Sequence, residues 1–345
     1  MTQMSIAEAL RQAIREEMLR DERVFCIGED IGVTGGFGGA FTITLGLSEE
    51  FGHDRILDTP IAELGLAGVT VGAAIGGLRP IADVQYGDFL FLAMDQIVNQ
   101  AAKMTYMSGG TVKVPLVMRA PVGATQRGAQ HAQSMEAFMT HVPGLKVLAP
   151  ATAYDAKGLL KSAVRDDNPV IIFEHKRLYG SKGPRSVEGA LSPISEVPDE
   201  EYLVPIGKGA IRRACPEHSG RAGKGVTIIG KLLTVYRALE AAETLAKEGI
   251  EAEVIDPRTL IPLDKELILE SVRKTGRLVI VEEDNLTGGW AGDLAAIVAE
   301  EAFFWLDAPI KRVSAPDVPP PFAPVMEQFY VPSAERVVAA VKALF

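Results

Sequence analysis

The chain has 345 residues, 47% of them hydrophobic, and a formal net charge of −10 at neutral pH. That length and apolar content allow roughly two domains with sizeable cores. The acidic balance excludes a nucleic-acid footprint, which needs clustered Lys and Arg; the one basic cluster, Lys208 to Arg213, is short and reads as a solvated loop or strand edge.

The N-terminus, Met1-Thr2-Gln3-Met4-Ser5, has neither the basic start nor the apolar core of a secretion leader, and no uncharged window reads as a membrane span. A cytoplasmic location is expected. Ser5-Ile6-Ala7-Glu8 has capping-box spacing, and Ala9, Leu10, Ala13, Ile14, Met18 and Leu19 then recur on one helical face, which predicts a first helix. Val24 to Gly28 reads as a buried strand, Gly32 to Gly39 as a glycine-rich loop and Ile43 to Phe51 as helical. Pro80 to Val84 (strand), Phe89 to Met107 (long helix), Pro115 to Arg119 and Leu145 to Ala149 (strands), Ala153 to Arg165 (helix) and Pro169 to Glu174 (strand) follow. Apolar strands alternating with helices predict a parallel sheet covered on both faces.

Between Lys176 and Lys224 Gly, Pro, Ser and charge dominate, and Tyr202 to Ile206 is the one regular-looking piece. This stretch is expected to be a linker. A second alternating series then runs Val226 to Gly230 (strand), Val235 to Lys247 (helix), Ala252 to Ile255 (strand), Lys265 to Lys274 (helix), Leu278 to Glu282 (strand), Gly292 to Phe303 (helix), Ile310 to Val313 (strand) and Ala334 to Leu344 (helix), with Pro319-Pro320-Pro321 as a stiff crossing before the last helix. The expected fold is α/β with two doubly wound domains, 1–178 and 225–345, joined by a linker over 179–224. Cys26 lies in an apolar strand and Cys215 far away in a polar stretch, so no disulfide framework is expected.

Glu63 stands out. It opens the run Glu63-Leu64-Gly65-Leu66-Ala67-Gly68, which continues to Leu78 without another charged side chain. Gly65, Gly68, Gly72, Gly76 and Gly77 each cost a helix roughly 1 kcal/mol against Ala, so something must approach this backbone closely, another helix or a flat ligand. The acid is either a charge at a helix start, which spacing alone favours, or a proton-handling group.

Other candidates stay open in the same way. Glu29 and Asp30 follow a buried strand at the edge where parallel sheets present their sites, as caps or as functional acids. His131 lies in a polar loop, as a functional imidazole or a hydrogen-bonded surface side chain. Tyr86 and Phe89 offer an aromatic face to a ring ligand or belong to the core, and Gly35 to Gly39 lacks both the P-loop ending and the dinucleotide spacing. Cys215-Pro216-Glu217-His218 lacks the second half of a metal site, and Ala163 to Pro169 is a helix exit whose free carbonyls either are capped or hold a monovalent ion.

The order of the motifs says more than any one of them. Gly28-Glu29-Asp30-Ile31-Gly32, Asp58-Thr59-Pro60-Ile61-Ala62-Glu63, Gly77-Leu78-Arg79-Pro80, Asp95 to Lys103, Gln130-His131-Ala132-Gln133-Ser134, Pro143 to Val147, Asp155 to Leu160, Arg165 to Pro169, Phe173 to Lys176, Val254 to Leu260 and Lys274 to Arg277 succeed one another along nearly the whole chain. This succession resembles the beta subunit of the thiamin-diphosphate-dependent decarboxylating component of 2-oxo acid (pyruvate-type) and acetoin dehydrogenase complexes. The resemblance implies a pyrimidine-binding domain followed by a transketolase-type C-terminal domain. It implies that Glu63 bonds the N1′ atom of the cofactor's aminopyrimidine and favours the tautomer that removes the thiazolium C2 proton. Phe89 would pack on the pyrimidine with Gln85 and Leu64 nearby, His131 would orient intermediates or handle protons during acylation of lipoamide, and Glu29 would belong to a carboxylate relay. Leu116, Ala163, Val164, Asp166 and Asn168 match a structural potassium site.

Enzymes of this kind hold the diphosphate through magnesium and a Gly-Asp-Gly segment, and this chain has none. The resemblance therefore implies that an alpha subunit supplies the magnesium and diphosphate end, in an α2β2 tetramer docked on a lipoyl-bearing acyltransferase core. Oxidative decarboxylation of a 2-oxo acid, pyruvate first, or acetoin cleavage is the expected activity. The alternatives are half of a split transketolase-type carboligase and a non-catalytic assembly subunit. The segment after His131, the length of 181–223 and the short loop from Thr34 to Thr44 depart from many relatives and leave the substrate open.

Overall fold

The computed structural model describes residues 1–33, 35–180, 194–216, 220 and 223–345. Thr34, residues 181–193 of the expected linker, and Glu217 and His218 of the cysteine motif lie outside the described residues. In chain order the first part comprises β1 (Thr2–Met4), α1 (Ile6–Arg20), β2 (Val24–Gly28), α2 (Leu47–Phe51), β3 (Ile56–Asp58), α3 (Glu63–Ile75), β4 (Arg79–Asp83), α4 (Leu90–Met94), α5 (Ala102–Met107), β5 (Val117–Val122), α6 (Glu136–Thr140), β6 (Lys146–Leu148), α7 (Ala153–Arg165) and β7 (Val170–His175). The rest comprises β8 (Ser195–Val197), β9 (Ala210–Arg213), β10 (Gly225–Gly230), α8 (Leu233–Ala246), β11 (Glu251–Asp256), β12 (Thr259–Ile261), α9 (Lys265–Thr275), β13 (Leu278–Asn285), α10 (Trp290–Glu301), β14 (Lys311–Ala315), α11 (Pro324–Tyr330) and α12 (Ala334–Lys342).

The first sheet has seven strands in the order β12-β6-β7-β5-β4-β2-β3, parallel except for β12. Its strands are apolar on both faces, as a sheet buried between helices requires. Phe25 and Ile27 of β2 pack with α3 and α4, while Val24 and Cys26 face α1 and α7. The capping box at Ser5 forms as expected, with Glu8 Oε2 accepting from the Ser5 amide at 2.8 Å and Ser5 Oγ accepting from the Glu8 amide at 3.2 Å. The second sheet has five strands in the order β14-β13-β10-β11-β9, with β9 antiparallel, and α8 and α12 close one core against it. Both cysteines are free and buried. Among the described residues no helix is long and apolar enough to cross a membrane.

Several elements differ from the sequence expectations. The helix expected from Ile43 shrinks to α2, because Thr42 (φ 65°) and Gly46 (φ 80°) adopt left-handed backbone that a helix cannot contain. The long helix is one run from α4 to α5, but Asp95–Ala101 winds as a π-helix, a distortion common near functional sites. The expected linker contains two strands: β8 pairs with β1, and β9 is the edge strand of the second sheet. Thr259–Ile261 crosses back to extend the first sheet beside β6, and Leu260 joins the first sheet's core. The two sheets are thus laced together rather than merely tethered.

Candidate active site

Parallel strands carry their sites beyond their C-terminal ends, and here adjacent strands all deliver candidate side chains at one edge. Glu29 follows β2, Glu63 follows β3 after the turn at Pro60, Gln85, Tyr86 and Phe89 follow β4, the loop bearing His131 follows β5, and Lys176 follows β7. The turns are locked locally: Asp58 Oδ1 accepts from the Gly32 amide at 2.8 Å, and the Thr59 amide donates to the Gly28 carbonyl at 2.9 Å.

Glu63 is the first residue of α3 and is 8% exposed. It forms no ion pair among the described residues, although the helix start lends it partial positive charge. Glu29 comes close enough to feel it. Burial first, and then the charge of Glu63, push the Glu29 carboxyl above its ordinary range, while a backbone hydrogen bond from Ala62 opposes the shift. Glu29 Oε1, Thr59 Oγ1 and Asp88 Oδ2 are buried without a hydrogen-bond partner. Buried polar atoms are ordinarily satisfied, so three orphans at one edge mark where a polar ligand belongs. The Gln85 amide donates to the Glu29 carbonyl and fixes the two segments relative to each other.

Beside the acids stands an aromatic corner. The Tyr86 and His131 rings meet edge-on at 4.9 Å and 85°, and Phe89 meets His131 at 5.4 Å and 80°. These edge-to-face contacts fix the imidazole while Phe89 stays half-buried, so an aromatic face is left for a ring ligand. Leu64 is 53% exposed among the described residues. Lys176, which sequence reasoning missed, lies buried beneath the corner. Its ammonium donates to the His131 carbonyl and sits 5.0 Å from the Tyr86 ring, and burial pulls it down to about 8.

Deeper in, Arg119 of β5 donates to both Glu174 oxygens at 2.8 and 2.7 Å and to Asp83 Oδ2 at 2.7 Å, and the Tyr179 hydroxyl donates to Glu174 Oε2 at 2.7 Å. This fully buried network stiffens the strand ends that carry Gln85 and Lys176. Removing its one cation strands two buried carboxylates, so Arg119→Met should cost about 3–5 kcal/mol, read by urea unfolding. A loss below about 1 kcal/mol would show that the network is stabilised by something other than this pairing.

The expected potassium residues gather at the opposite edge of the sheet. The Val164 and Asp166 carbonyls accept from Arg79 at 2.9 and 3.0 Å, the Leu116 carbonyl accepts from the Val170 amide at 3.0 Å, and the Ala163 carbonyl accepts from the Asp166 amide at 3.2 Å. Asn168 Nδ2 donates to Asp166 Oδ1 at 2.8 Å, and Lys146 pairs with the same carboxylate. These oxygens already accept hydrogen bonds, two of them from the Arg79 guanidinium, and the cluster has no part in the Glu63 edge.

Among the described residues no group of three or more His, Cys, Asp or Glu side chains converges as a metal site. The transketolase pyrimidine-binding domain family matches residues 2–182, and the transketolase C-terminal domain family matches residues 218–337. The chain is 46% identical to the 2-oxoisovalerate dehydrogenase subunit beta of Bacillus subtilis over 100% of its own length and 99% of the relative's. It is 47% identical to the acetoin:2,6-dichlorophenolindophenol oxidoreductase subunit beta of Cupriavidus necator, covering 98% of this chain and 96% of that one. It is 47% identical to the pyruvate dehydrogenase E1 component subunit beta of Rickettsia felis, covering 99% and 98%. Among solved structures, a split gene transketolase described as an inactive beta4 tetramer superposes with a TM-score of 0.77 at 27% identity over 99% of this chain and 98% of that one. With the acid pair and aromatic corner seated in a transketolase-type domain, these full-length likenesses show that the chain belongs to the family of beta subunits of thiamin-diphosphate-dependent 2-oxo acid and acetoin dehydrogenases.

Proposed function

We propose that this chain is the beta half of an enzyme that decarboxylates a 2-oxo acid, pyruvate first, or cleaves acetoin, and passes the acyl group to lipoamide. The observation that carries this reading is the buried Glu63 facing Glu29 beside the Tyr86–Phe89–His131 corner, all at one sheet edge. Bound thiamin diphosphate would supply the nucleophile and electron sink that the side chains lack. Glu63 would hold a proton at the pyrimidine N1′, and Phe89 would pack on that ring with Leu64 and Gln85 at its rim. The orphaned Glu29 oxygen would take up a hydrogen bond and pass protons along a carboxylate relay. The His131 imidazole, fixed by two ring edges, would orient the reacting group and hold or release a proton during acyl transfer.

An alpha subunit would supply the diphosphate end and its magnesium, in an α2β2 tetramer on a lipoyl-bearing core. The carbonyls at the end of α7 would hold a structural potassium ion. A split transketolase is the rival reading. Sugar phosphates call for free cations at the site, and Arg119 is already committed to Asp83 and Glu174.

Co-expression with an alpha partner and assay of 2,6-dichlorophenolindophenol reduction by pyruvate, 2-oxoisovalerate and acetoin tests the reading. Ketol transfer between sugars without any 2-oxo acid decarboxylation would refute it. In the assembled enzyme His131→Ala should lower acylation of lipoamide about a hundredfold while leaving cofactor affinity within about threefold. Separate half-reaction assays with a cofactor titration check this, and equal losses in both would contradict the role.

A further inference from the structure

The loop from Gly123 to Gln133 is closed on itself and held by charges that the reaction does not use. The Gly123 amide donates to the Gln133 carbonyl at 3.3 Å, so the loop ends meet. Inside it the Ala124 amide donates to Glu283, the Gln126 amide donates to Glu327, and Arg177 Nε donates to the Ala124 carbonyl at 2.8 Å. Gln126 adopts left-handed backbone (φ 57°), which aims its amide at Glu327. Glu327 also pairs with Arg177, and Glu283 Oε2 lies 2.9 Å from His175 Nε2. At the far end Lys176 holds the His131 carbonyl, and Asp88 accepts from the Gln133 side chain at 2.7 Å.

Glu283 lies on β13 and Glu327 on α11, and they are 4% and 1% exposed. Both come from the C-terminal domain, yet each spends a buried carboxylate on a backbone amide of the loop. Charges this deep persist only where they are fully paired, and charged acceptors give the stronger hydrogen bonds. We propose that the C-terminal domain serves the site through Glu283 and Glu327, which clamp the 123–133 loop and so fix where His131 stands; they are positioning residues. This rests on the role proposed for His131. It assigns to the second domain a contribution that no residue at the strand edge reveals.

The test uses the enzyme assembled with its alpha subunit and compares Glu327→Gln and Lys176→Met with Tyr236→Phe. Tyr236 also crosses between the domains, donating to the Ala151 carbonyl at 2.8 Å, and its hydroxyl does not bond the loop. Amide exchange over 123–133 should quicken in the first two variants and not in the third. Acylation of lipoamide should fall about tenfold or more in Glu327→Gln, with KM for the 2-oxo acid and the dye-linked first half-reaction within about threefold of wild type. Unchanged exchange over the loop, or parallel losses in both half-reactions, overturns the proposal. If Glu327→Gln fails to fold, Glu283→Gln carries the same expectation through the Ala124 amide. A wild-type tetramer without decarboxylase activity would instead refute the functional reading, and loop exchange would still report on the clamp.

Discussion

Glu63→Gln in the assembled enzyme should lower 2-oxo acid decarboxylation by about a thousandfold, with the tetramer intact and the cofactor still bound. The size follows from the range for proton transfer by a positioned group, about 10²–10⁴-fold. The amide keeps the volume and one hydrogen bond but cannot hold or release the proton. Stability should hardly change, because Glu63 forms no ion pair among the described residues and its helix-start charge contributes only about 0.3–1 kcal/mol. Decarboxylation by dye reduction, with circular dichroism and a thiamin diphosphate titration on the same sample, reads all three. Activity within about tenfold of wild type would leave Glu63 as the helix-start charge that spacing alone favours. Glu29 sharpens the expectation. Its carboxyl is raised by burial and by the charge of Glu63, so it stays protonated to higher pH than an ordinary glutamate.

Much of the frame was legible in the sequence because parallel sheets announce themselves through apolar runs separated by amphipathic helices. β2, β4, β5, β7, β10, β11 and β13 fall where those runs lie. Elements of a few residues were not legible: β3, α6, β12 and α11 are too short for a period to show, and they are held by tertiary pairing. Strands inside the expected linker escaped notice for a related reason, since an edge strand such as β9 can be polar and half-exposed and still complete a sheet. At the site, Glu63 and His131 could be found by position, but their rating turned on the order of motifs rather than on any local pattern. Lys176, Glu283 and Glu327 carried no signal. A buried charge looks like a surface charge until the fold shows what surrounds it, and Lys176 lies 1% exposed one residue past a strand of six fully buried residues. Arg119, the last residue of a strand expected from the sequence, proves to be committed to acids inside the sheet.

The chain alone should bind thiamin diphosphate at least about a thousandfold more weakly than the assembled enzyme, a loss of about 4 kcal/mol. The argument comes from α3. Its glycines suggested a close approach, yet among the described residues nothing makes it: a Cβ built on Gly72 meets no atom within 4 Å, and those on Gly65 and Gly68 find nothing nearer than 3.8 Å. Ile61, Leu64, Val69 and Ile75 are 84%, 53%, 55% and 41% exposed along the same flank, and Phe91 and Leu92 of the next helix add 43% and 60%. An apolar, glycine-lined stripe that starts at the proposed catalytic acid is where the alpha subunit is proposed to dock, closing the site from the other side. Calorimetric titration with thiamin diphosphate and magnesium, with and without the alpha partner, measures the difference; tight binding by the isolated chain would overturn the shared site. Gly72→Leu separates folding from assembly. The helix should accept the side chain, gaining up to about 1 kcal/mol over glycine, because open space surrounds it. The partner's approach should be blocked, so the variant melts no lower than wild type as an isolated chain but forms no tetramer in sedimentation and shows no decarboxylation. A variant that still assembles would place the alpha subunit on some other face and leave the bare stripe without an occupant.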